Sequence, residues 1–205
     1  MKSLLRFSLC TFLSVIGACL PVHSESAPAG PANGTILMIR HAEKPESGDQ
    51  LSEAGKKRAQ AYPAYFQKLE IDGKPVHLDF LIATKDSDNS QRPKLTIQPL
   101  SMALHLPLEI DFKNKEFGVL ADKLKTANYH GKTILISWHH GHIPDFVSAL
   151  GGDPAKLFPT GKWPEDVFSW VVVLRYDELG GLKESSVINE NLMPGDAELS
   201  PTAAK

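Results

Sequence analysis

The segment Thr35-Ile36-Leu37-Met38-Ile39, followed by Arg40-His41, is the stretch that decides the fold. Four consecutive apolar residues predict a buried strand, and two polar side chains follow that strand directly. Open α/β sheets bind their ligands beyond the carboxyl ends of such strands. The pattern therefore predicts a strand over 35–39 and a functional site that begins at Arg40 and His41.

Further strand and helix patterns alternate along the rest of the chain. Beyond the first strand, they predict strands over 78–83, 133–138 and 168–175. The predicted helices cover 52–69, with Ser52 as N-cap and Pro63 as a kink or an end, and then 93–105, 117–125 and 143–150. Alternation of this kind is typical of a parallel sheet with helices on both faces. We therefore expect an α/β fold, a three-layer sandwich with a mostly parallel central sheet flanked by helices.

The first 24 residues have the organisation of a secretory signal peptide. Lys2 and Arg6 precede an uncharged apolar stretch over 7–20, and small residues that suit a signal peptidase follow before Ser24. The apolar stretch is shorter than the ~20 residues that a transmembrane helix needs. We expect cleavage near Ser24 and a periplasmic or secreted product, with no transmembrane span once the leader is removed.

Both cysteines of the chain, Cys10 and Cys19, lie inside this leader. The mature soluble protein would then have no disulfide and no thiolate metal ligand. A weak lipoprotein-like signal over 16–19 leaves an alternative, in which a lipid attached to Cys19 tethers the protein. We favour the soluble product because Pro21 follows so closely.

The remaining ~180 residues suit one domain. We divide them into a flexible linker over 25–34, a domain over 35–193 and a disordered tail over 194–205. The leader carries two of the 22 basic residues and none of the 24 acidic ones, so its removal changes the formal net charge from −2 to −4. No basic patch with interleaved aromatic residues is present, so nucleic acid is not an expected partner. The oligomeric state is left open.

Three further motifs follow Arg40-His41, and together the four resemble the histidine phosphatase superfamily. They are Leu51-Ser52-Glu53-Ala54-Gly55, then Arg92 with Thr96, then Ile134-Leu135-Ile136-Ser137-Trp138-His139-His140-Gly141. The superfamily includes phosphoglycerate mutases and acid phosphatases and carries an Arg-His-Gly motif. Here Ala42 stands in place of the glycine, as in the small phosphohistidine phosphatases of the family. The resemblance covers most of residues 35–175 and implies the family's fold, without metal or cofactor.

The resemblance implies that two histidines take part in phosphoryl transfer. His41 would be the nucleophile, provided that its other ring nitrogen donates to a carbonyl or a similar acceptor. His140 would be the second pocket histidine, because His139 stands one residue earlier and would point to the opposite side of a strand. A metal site formed by His139, His140 and His142 is the alternative, but adjacent histidines seldom converge on one ion.

The resemblance also implies that two arginines bind the phosphate. The planar guanidinium groups of Arg40 and Arg92 match pairs of phosphoryl oxygens and stabilise the charge of the transition state. Thr96, four residues after Arg92, would support that arginine from a helix. Glu43 follows the first motif and is expected to be structural or to lie at the rim of the pocket.

The general acid has no motif of its own in this sequence. The family's large acid phosphatases carry an aspartate directly after the second histidine, where this chain has Gly141. The mutases use a glutamate between the arginine and the second histidine, an interval that contains Glu109, Asp111 and Glu116. We take Glu116 as the candidate proton donor, with Glu109, Asp111, Asp145 or no acid as alternatives. Because an acid contributes ~10²–10⁴ in rate for alkyl esters, the substrate class stays open.

The resemblance implies an exported, metal-independent phosphatase that hydrolyses a small phosphomonoester, or a related phosphoryl compound, through a phosphohistidine. A phosphohistidine phosphatase or a phosphomutase-like enzyme is the alternative within the family. Export disfavours a mutase, since the family's mutases act on cytosolic intermediates. A non-catalytic phosphate-binding module is the third reading, but Arg40, His41 and His140 are all intact.

Overall fold

The structure is a computed structural model that describes residues 27–196, built from eight strands and five helices. The strands are β1 (Thr35–Arg40), β2 (Glu70–Ile71), β3 (Lys74–Pro75), β4 (Phe80–Ala83), β5 (Leu108–Glu109), β6 (Thr133–Trp138), β7 (Trp170–Tyr176) and β8 (Leu182–Asn189). The helices are α1 (Glu53–Lys68), α2 (Arg92–Leu104), α3 (Phe117–Leu124), α4 (Ile143–Ala149) and α5 (Pro154–Leu157).

Six of the strands form one central sheet in the order β5-β4-β6-β1-β7-β8. The four strands β5, β4, β6 and β1 run parallel, whereas β7 and β8 join antiparallel to their neighbours. Strands β2 and β3 make a separate hairpin. Arg40 pairs with Trp138, so β1 and β6 end at the same level. The residues that follow these two strands are therefore neighbours in space.

The two faces of the sheet bury separate apolar cores, as alternation along β1 requires. Ile36 and Met38 belong to the core covered by α3 and α4, and Leu37 and Ile39 belong to the core covered by α1 and α2. All four side chains are fully buried. The expected three-layer α/β sandwich with a mostly parallel sheet is confirmed.

The elements predicted from periodicity are present, with ends shifted by at most two residues. Ser52 caps α1 as expected, since its hydroxyl accepts a hydrogen bond from the Gly55 N–H at 3.1 Å. The helix does not end at Pro63, because Tyr62 and Phe66 on either side of it are both buried in the same core. The sequence analysis missed β5, β8 and the β2–β3 hairpin.

Residues beyond both expected domain boundaries also bond to the domain within the described chain. The N–H groups of Ala29 and Gly30 donate to the Gly180 carbonyl at 2.8 and 3.0 Å, so the second half of the expected linker is hydrogen-bonded to the domain. At the other end, Asp196 is buried and accepts hydrogen bonds from Arg58, so the fold extends past residue 193. The expected signal peptide, Cys19 and the tail from 197 lie outside the described residues.

Helices that could cross a bilayer, by length and apolar character, are absent between residues 27 and 196.

Candidate active site

The candidate site lies at the carboxyl edge of the two central parallel strands. His41 directly follows β1, and His139 and His140 follow β6. The His41 N–H donates to the Trp138 carbonyl at 2.9 Å, which continues the pairing of the strands by one residue. Arg92 is the first residue of α2 and approaches the same edge. The topology therefore brings together residues from three of the four sequence motifs.

His41 is buried, with 3% of its surface exposed, and one ring nitrogen is fixed by the backbone. Its Nδ1 lies 2.7 Å from the Ala42 carbonyl oxygen. Because a carbonyl can only accept, Nδ1 carries the hydrogen and Nε2 keeps its lone pair. Burial, together with smaller effects of the neighbouring charges, Arg40 and Arg92 among them, lowers the pKa of His41 to about 3. His41 is therefore a neutral imidazole with a free nitrogen at neutral pH.

Arg40 is 1% exposed and is held by a loop that leads into β7. Its Nη1 donates to the carbonyls of Pro164 at 3.3 Å and Val167 at 3.1 Å, and also to the carbonyl of Glu165. The guanidinium carbon lies 3.8 Å from the centre of the Phe168 ring, in cation–π contact. Burial lowers the pKa of Arg40 to about 10, which leaves the side chain cationic at neutral pH.

Arg92 is half-buried and is held by the preceding loops. Its Nη1 donates to the Gly48 carbonyl at 2.9 Å and its Nη2 to the Asn89 carbonyl at 3.2 Å. The Nε of Arg92 and the Nε of Arg40 are both buried and have no protein acceptor. Burial lowers the pKa of Arg92, and the charge of Asp49 opposes that effect. Two guanidinium N–H groups are thus free for the oxygens of an anion.

Thr96 joins the first motif to the start of α2. Its hydroxyl accepts a hydrogen bond from the Ala42 N–H at 2.8 Å and donates to the Arg92 carbonyl at 2.7 Å. The residue is fully buried. Thr96 therefore supports Arg92, as expected, and also holds Ala42, whose carbonyl oxygen bonds to the His41 ring.

His139 lies against His41, which corrects the expectation that it points away. The ring centres are 5.2 Å apart in an edge-to-face arrangement. Strand alternation fails here because β6 ends at Trp138 and the chain enters a short 3-10 turn at His140–His142. Burial lowers the pKa of His139 to about 4, and the charge of Arg92 adds to the effect.

His140 lies beside Arg40, on the side of the loop that holds that arginine. Burial lowers the pKa of His140 to about 4; the Arg40 charge lowers it further and the Glu165 charge raises it. Its Nδ1 is buried without a protein partner. Both histidines of the adjacent pair are therefore part of the site, with His139 nearer to His41 and His140 nearer to Glu165.

The third histidine, His142, has different surroundings. Its ring stacks on Phe117, with centres 5.5 Å apart, and its Nδ1 lies 3.6 Å from a carboxylate oxygen of Asp145. Within residues 27–196, no three histidine, cysteine or acidic side chains are grouped to hold a metal ion.

Glu116 has a structural role in the short 3-10 turn that precedes α3. Its carboxylate accepts a hydrogen bond from the Lys113 N–H at 2.8 Å and caps that turn. Of the other acids in that interval, Glu109 pairs with Lys123, and Asp111 is exposed. The contacts of the described residues do not link Glu116 to Arg40, His41 or His140.

The sequence analysis missed the loop that contains Glu165. Together with the 3-10 turn and the start of α4, this loop borders a cavity of about 410 Å³ that contains His140, Asp145 and Glu165. The segment has no periodicity and no motif, because its position is set by aromatic packing rather than by secondary structure. The one sequence signal that could have indicated a packed loop is the pair of tryptophans on either side of it, Trp163 and Trp170.

A second missed feature is a buried ion cluster behind the first motif. Arg58 on α1 is 2% exposed and bonds to Glu43 at 2.7 Å, Glu190 at 3.0 Å and Asp196 at 2.8 Å. Burial raises the pKa of Glu190 to about 8. Glu43 is therefore structural, and its anchoring fixes the segment that follows His41.

No protein-family model matches the sequence, and no curated protein matches it significantly. Among solved structures, the chain is similar to the protein histidine phosphatase SixA complexed with tungstate, at 14% identity and a TM-score of 0.48, over 76% of this chain and 97% of that one. It is also similar to phosphoglycerate mutase from Plasmodium falciparum, at 15% identity and a TM-score of 0.48, over 75% of this chain and 90% of that one. At these values the similarity carries no argument, and the chemistry rests on this chain's own side chains.

Proposed function

We propose that this protein is a metal-independent phosphatase that transfers a phosphoryl group from a small substrate to His41 and then to water. The observation that carries the proposal is the hydrogen bond between His41 Nδ1 and the Ala42 carbonyl. It leaves the Nε2 lone pair free on a buried, neutral ring near the buried cation of Arg40 and the half-buried cation of Arg92. A nucleophilic imidazole needs this combination of tautomer, charge and phosphate-directed partners.

The reaction has two steps. In the first, His41 Nε2 forms a bond to phosphorus while the bond to the leaving oxygen breaks, and the electron pair and a proton go to that oxygen. The Nδ1–H bond to Ala42 stabilises the positive ring of the phosphohistidine. In the second, water attacks phosphorus, the P–N pair returns to Nε2, and inorganic phosphate leaves after the water has lost a proton.

Arg40, Arg92 and His140 stabilise the phosphoryl oxygens in both steps. The buried Nε–H groups of the two arginines have no protein acceptor and are preorganised donors. With a proton on Nδ1, His140 donates to a third oxygen. The phosphate affinity comes from these local donors, because the whole chain carries a formal charge of −2.

We further propose that the protein is exported by its leader and acts on an extracytoplasmic phosphomonoester. Intact mass measurement of the protein from a fractionated bacterial host tests this. A mass that corresponds to cleavage near Ser24 supports a soluble product, whereas a lipid-modified Cys19 or a retained leader contradicts it.

The activity itself is tested with p-nitrophenyl phosphate and the variant His41→Ala. His77→Ala is the matched control, since His77 is exposed at the opposite end of the sheet, near Thr35. We expect the wild type and the control to hydrolyse the substrate equally, with and without EDTA, and His41→Ala to be inactive with an unchanged circular dichroism spectrum. Activity of a folded His41→Ala variant, or loss of wild-type activity in EDTA that zinc or magnesium restores, contradicts the proposal.

A further inference from the structure

The cavity beside His140 shares that histidine with the candidate phosphate site and is also lined by Glu165, whose carboxyl group has no role in the steps above. One side is the 3-10 turn after β6 and the start of α4, and the other is the loop of Glu165. The Glu165 carbonyl accepts a hydrogen bond from Arg40 Nη1, so the residue is bonded directly to the arginine that binds the phosphoryl group. Its side chain is exposed toward solvent.

We propose that this cavity seats the leaving group of the substrate and that Glu165 donates the proton to the leaving oxygen. The proposal rests on the function proposed above and supplies the general acid that the sequence motifs lack.

The backbone of Glu165 is held in place although its side chain is accessible. The neighbouring Trp163 is buried, and its Nε1–H donates to the Val167 carbonyl at 2.8 Å. The Trp163 ring packs on Phe158 at 5.6 Å and on Trp170 at 5.8 Å between ring centres. Such anchoring keeps a proton donor near the reacting atoms while leaving it free to exchange protons with water.

The electrostatic effects of Glu165 on its neighbours also support its assignment as the proton donor. The negative charge of Glu165 raises the pKa values of both Arg40 and His140, against the larger effect of burial, which lowers them. One carboxylate therefore acts on two groups of the phosphate site at once.

The other acids near the site have different partners. Asp145 borders the same cavity, with its carboxylate 3.6 Å from His142 Nδ1, but it is not among the charges that shift the pKa values of Arg40 and His140. Asp166, the next residue after Glu165, faces a separate cavity with Glu43 and Arg58. Glu116 caps the 3-10 turn before α3. Glu165 is thus the acid whose contacts lead to both Arg40 and His140.

The proton balance of the two steps closes with Glu165. When the P–O bond breaks, its electron pair moves to the leaving oxygen, which takes the carboxyl proton and departs as an alcohol. The water that attacks the phosphohistidine releases its proton to the solvent, and the solvent-exposed Glu165 carboxylate takes up a proton from the solvent. Inorganic phosphate is released, and Glu165 is again protonated for the next turnover.

The cavity also indicates the class of alcohol. With Glu165 protonated, the remaining charged side chains of the cavity, Asp145 and Lys162, cancel, so the cavity offers no net positive charge to a leaving group with a second phosphate. We therefore expect alkyl phosphomonoesters of uncharged, hydroxylated alcohols, for which glycerol phosphate is the probe.

The test compares Glu165→Gln with the matched control Asp166→Asn on glycerol phosphate and on p-nitrophenyl phosphate. We expect Glu165→Gln to lower kcat on glycerol phosphate by about 10²-fold or more, since the alkoxide needs a proton, and to leave p-nitrophenyl phosphate nearly unaffected because nitrophenolate leaves unaided. Asp166→Asn should leave both rates near those of the wild type.

Three outcomes would overturn the proposal: equal small effects of Glu165→Gln on both substrates, the selective loss in Asp145→Asn instead, or a wild type that cleaves aryl but no alkyl phosphate. Each leaves the proposed phosphatase standing, because hydrolysis of p-nitrophenyl phosphate through His41 does not need an acid. An enzyme inactive on every substrate would contradict both proposals.

Discussion

The tautomer of His41 is the residue-scale feature on which the chemistry depends. Nδ1 bonds to the Ala42 carbonyl, and burial holds the pKa of the ring at about 3, against about 6.5 for a free histidine. Nitrogen-15 spectra of the imidazole rings report both properties. We expect His41 to show a protonated Nδ1 and an unprotonated Nε2, and to remain neutral as the pH is lowered to about 4.

The same shift has a consequence for stability, with a definite sign. Below pH ~6.5 His41 binds a proton in the unfolded chain but stays neutral in the folded protein. The free energy of unfolding therefore decreases as the pH is lowered from ~6.5 to the folded pKa of about 3. A ring that titrates near 6.5 in the folded protein, or that carries its proton on Nε2, would contradict the assigned nucleophile.

Thr96 gives a second prediction at the residue scale. Thr96→Val removes the hydroxyl that bonds to the Ala42 N–H and leaves that buried donor without a partner, which costs about 1–3 kcal/mol. We expect a lower free energy of unfolding in urea and a lower kcat, because the peptide that fixes His41 can then shift.

Thr84→Val is the matched control, since the Thr84 hydroxyl is also buried but has no partner. This substitution should leave the free energy of unfolding nearly unchanged or higher. If the two variants lose the same stability, the hydrogen bonds of Thr96 do not have the role described.

At the scale of elements, the Arg58 cluster joins α1, the end of β8 and the segment after β1. Arg58→Ala would leave the buried carboxyl groups of Glu190 and Asp196, and the partly buried one of Glu43, without their cation, and breaking a buried pair in this way costs about 3–5 kcal/mol.

Arg175→Ala is the comparison for that prediction, because Arg175 pairs with Glu184 at 3.2 Å but is one-third exposed, where ion pairs contribute about 0–1 kcal/mol. Urea unfolding of both variants measures how much free energy of unfolding each substitution removes. Similar losses for the two would show that the buried cluster does not stabilise the fold more than a surface pair.

The sequence was sufficient to predict the elements that carry a strong apolar pattern. Strands β1 and β6 are continuous apolar runs, and α1 has a capping serine and a buried face, so local signals and tertiary packing agree. Strand β8 was missed because its sequence, Leu182–Asn189, is mostly polar and half-buried at the sheet edge. Local patterns carry no signal for an edge strand whose partner lies earlier in the chain.

The candidate site was predictable where a residue directly follows a strand, as Arg40 and His41 do. The orientation of His139 was not predictable, because it depends on the residue at which β6 ends and the 3-10 turn begins. Arg58 and Glu165 acquire their roles from contacts that span over a hundred positions of sequence, such as those between Glu165 and Arg40 and between Arg58 and Glu190. Contacts between residues so far apart in sequence do not produce a periodic pattern of apolar residues.

At the scale of the whole molecule, the parallel strands, the helix starts and the loop before β7 converge on one edge of the sheet. This edge presents a free imidazole nitrogen close to the cations of Arg40 and Arg92, and the proposed phosphatase activity depends on covalent chemistry at that nitrogen. The most direct measurement is therefore to quench the full-length protein during turnover of a phosphorus-32-labelled substrate and to locate the label by peptide mapping.

We predict an acid-labile, base-stable phosphohistidine on the peptide that contains His41. It should be absent from His41→Ala and present in His77→Ala. Label on any other residue, or turnover by the wild type without a trapped phosphohistidine under conditions that slow its hydrolysis, would contradict the account.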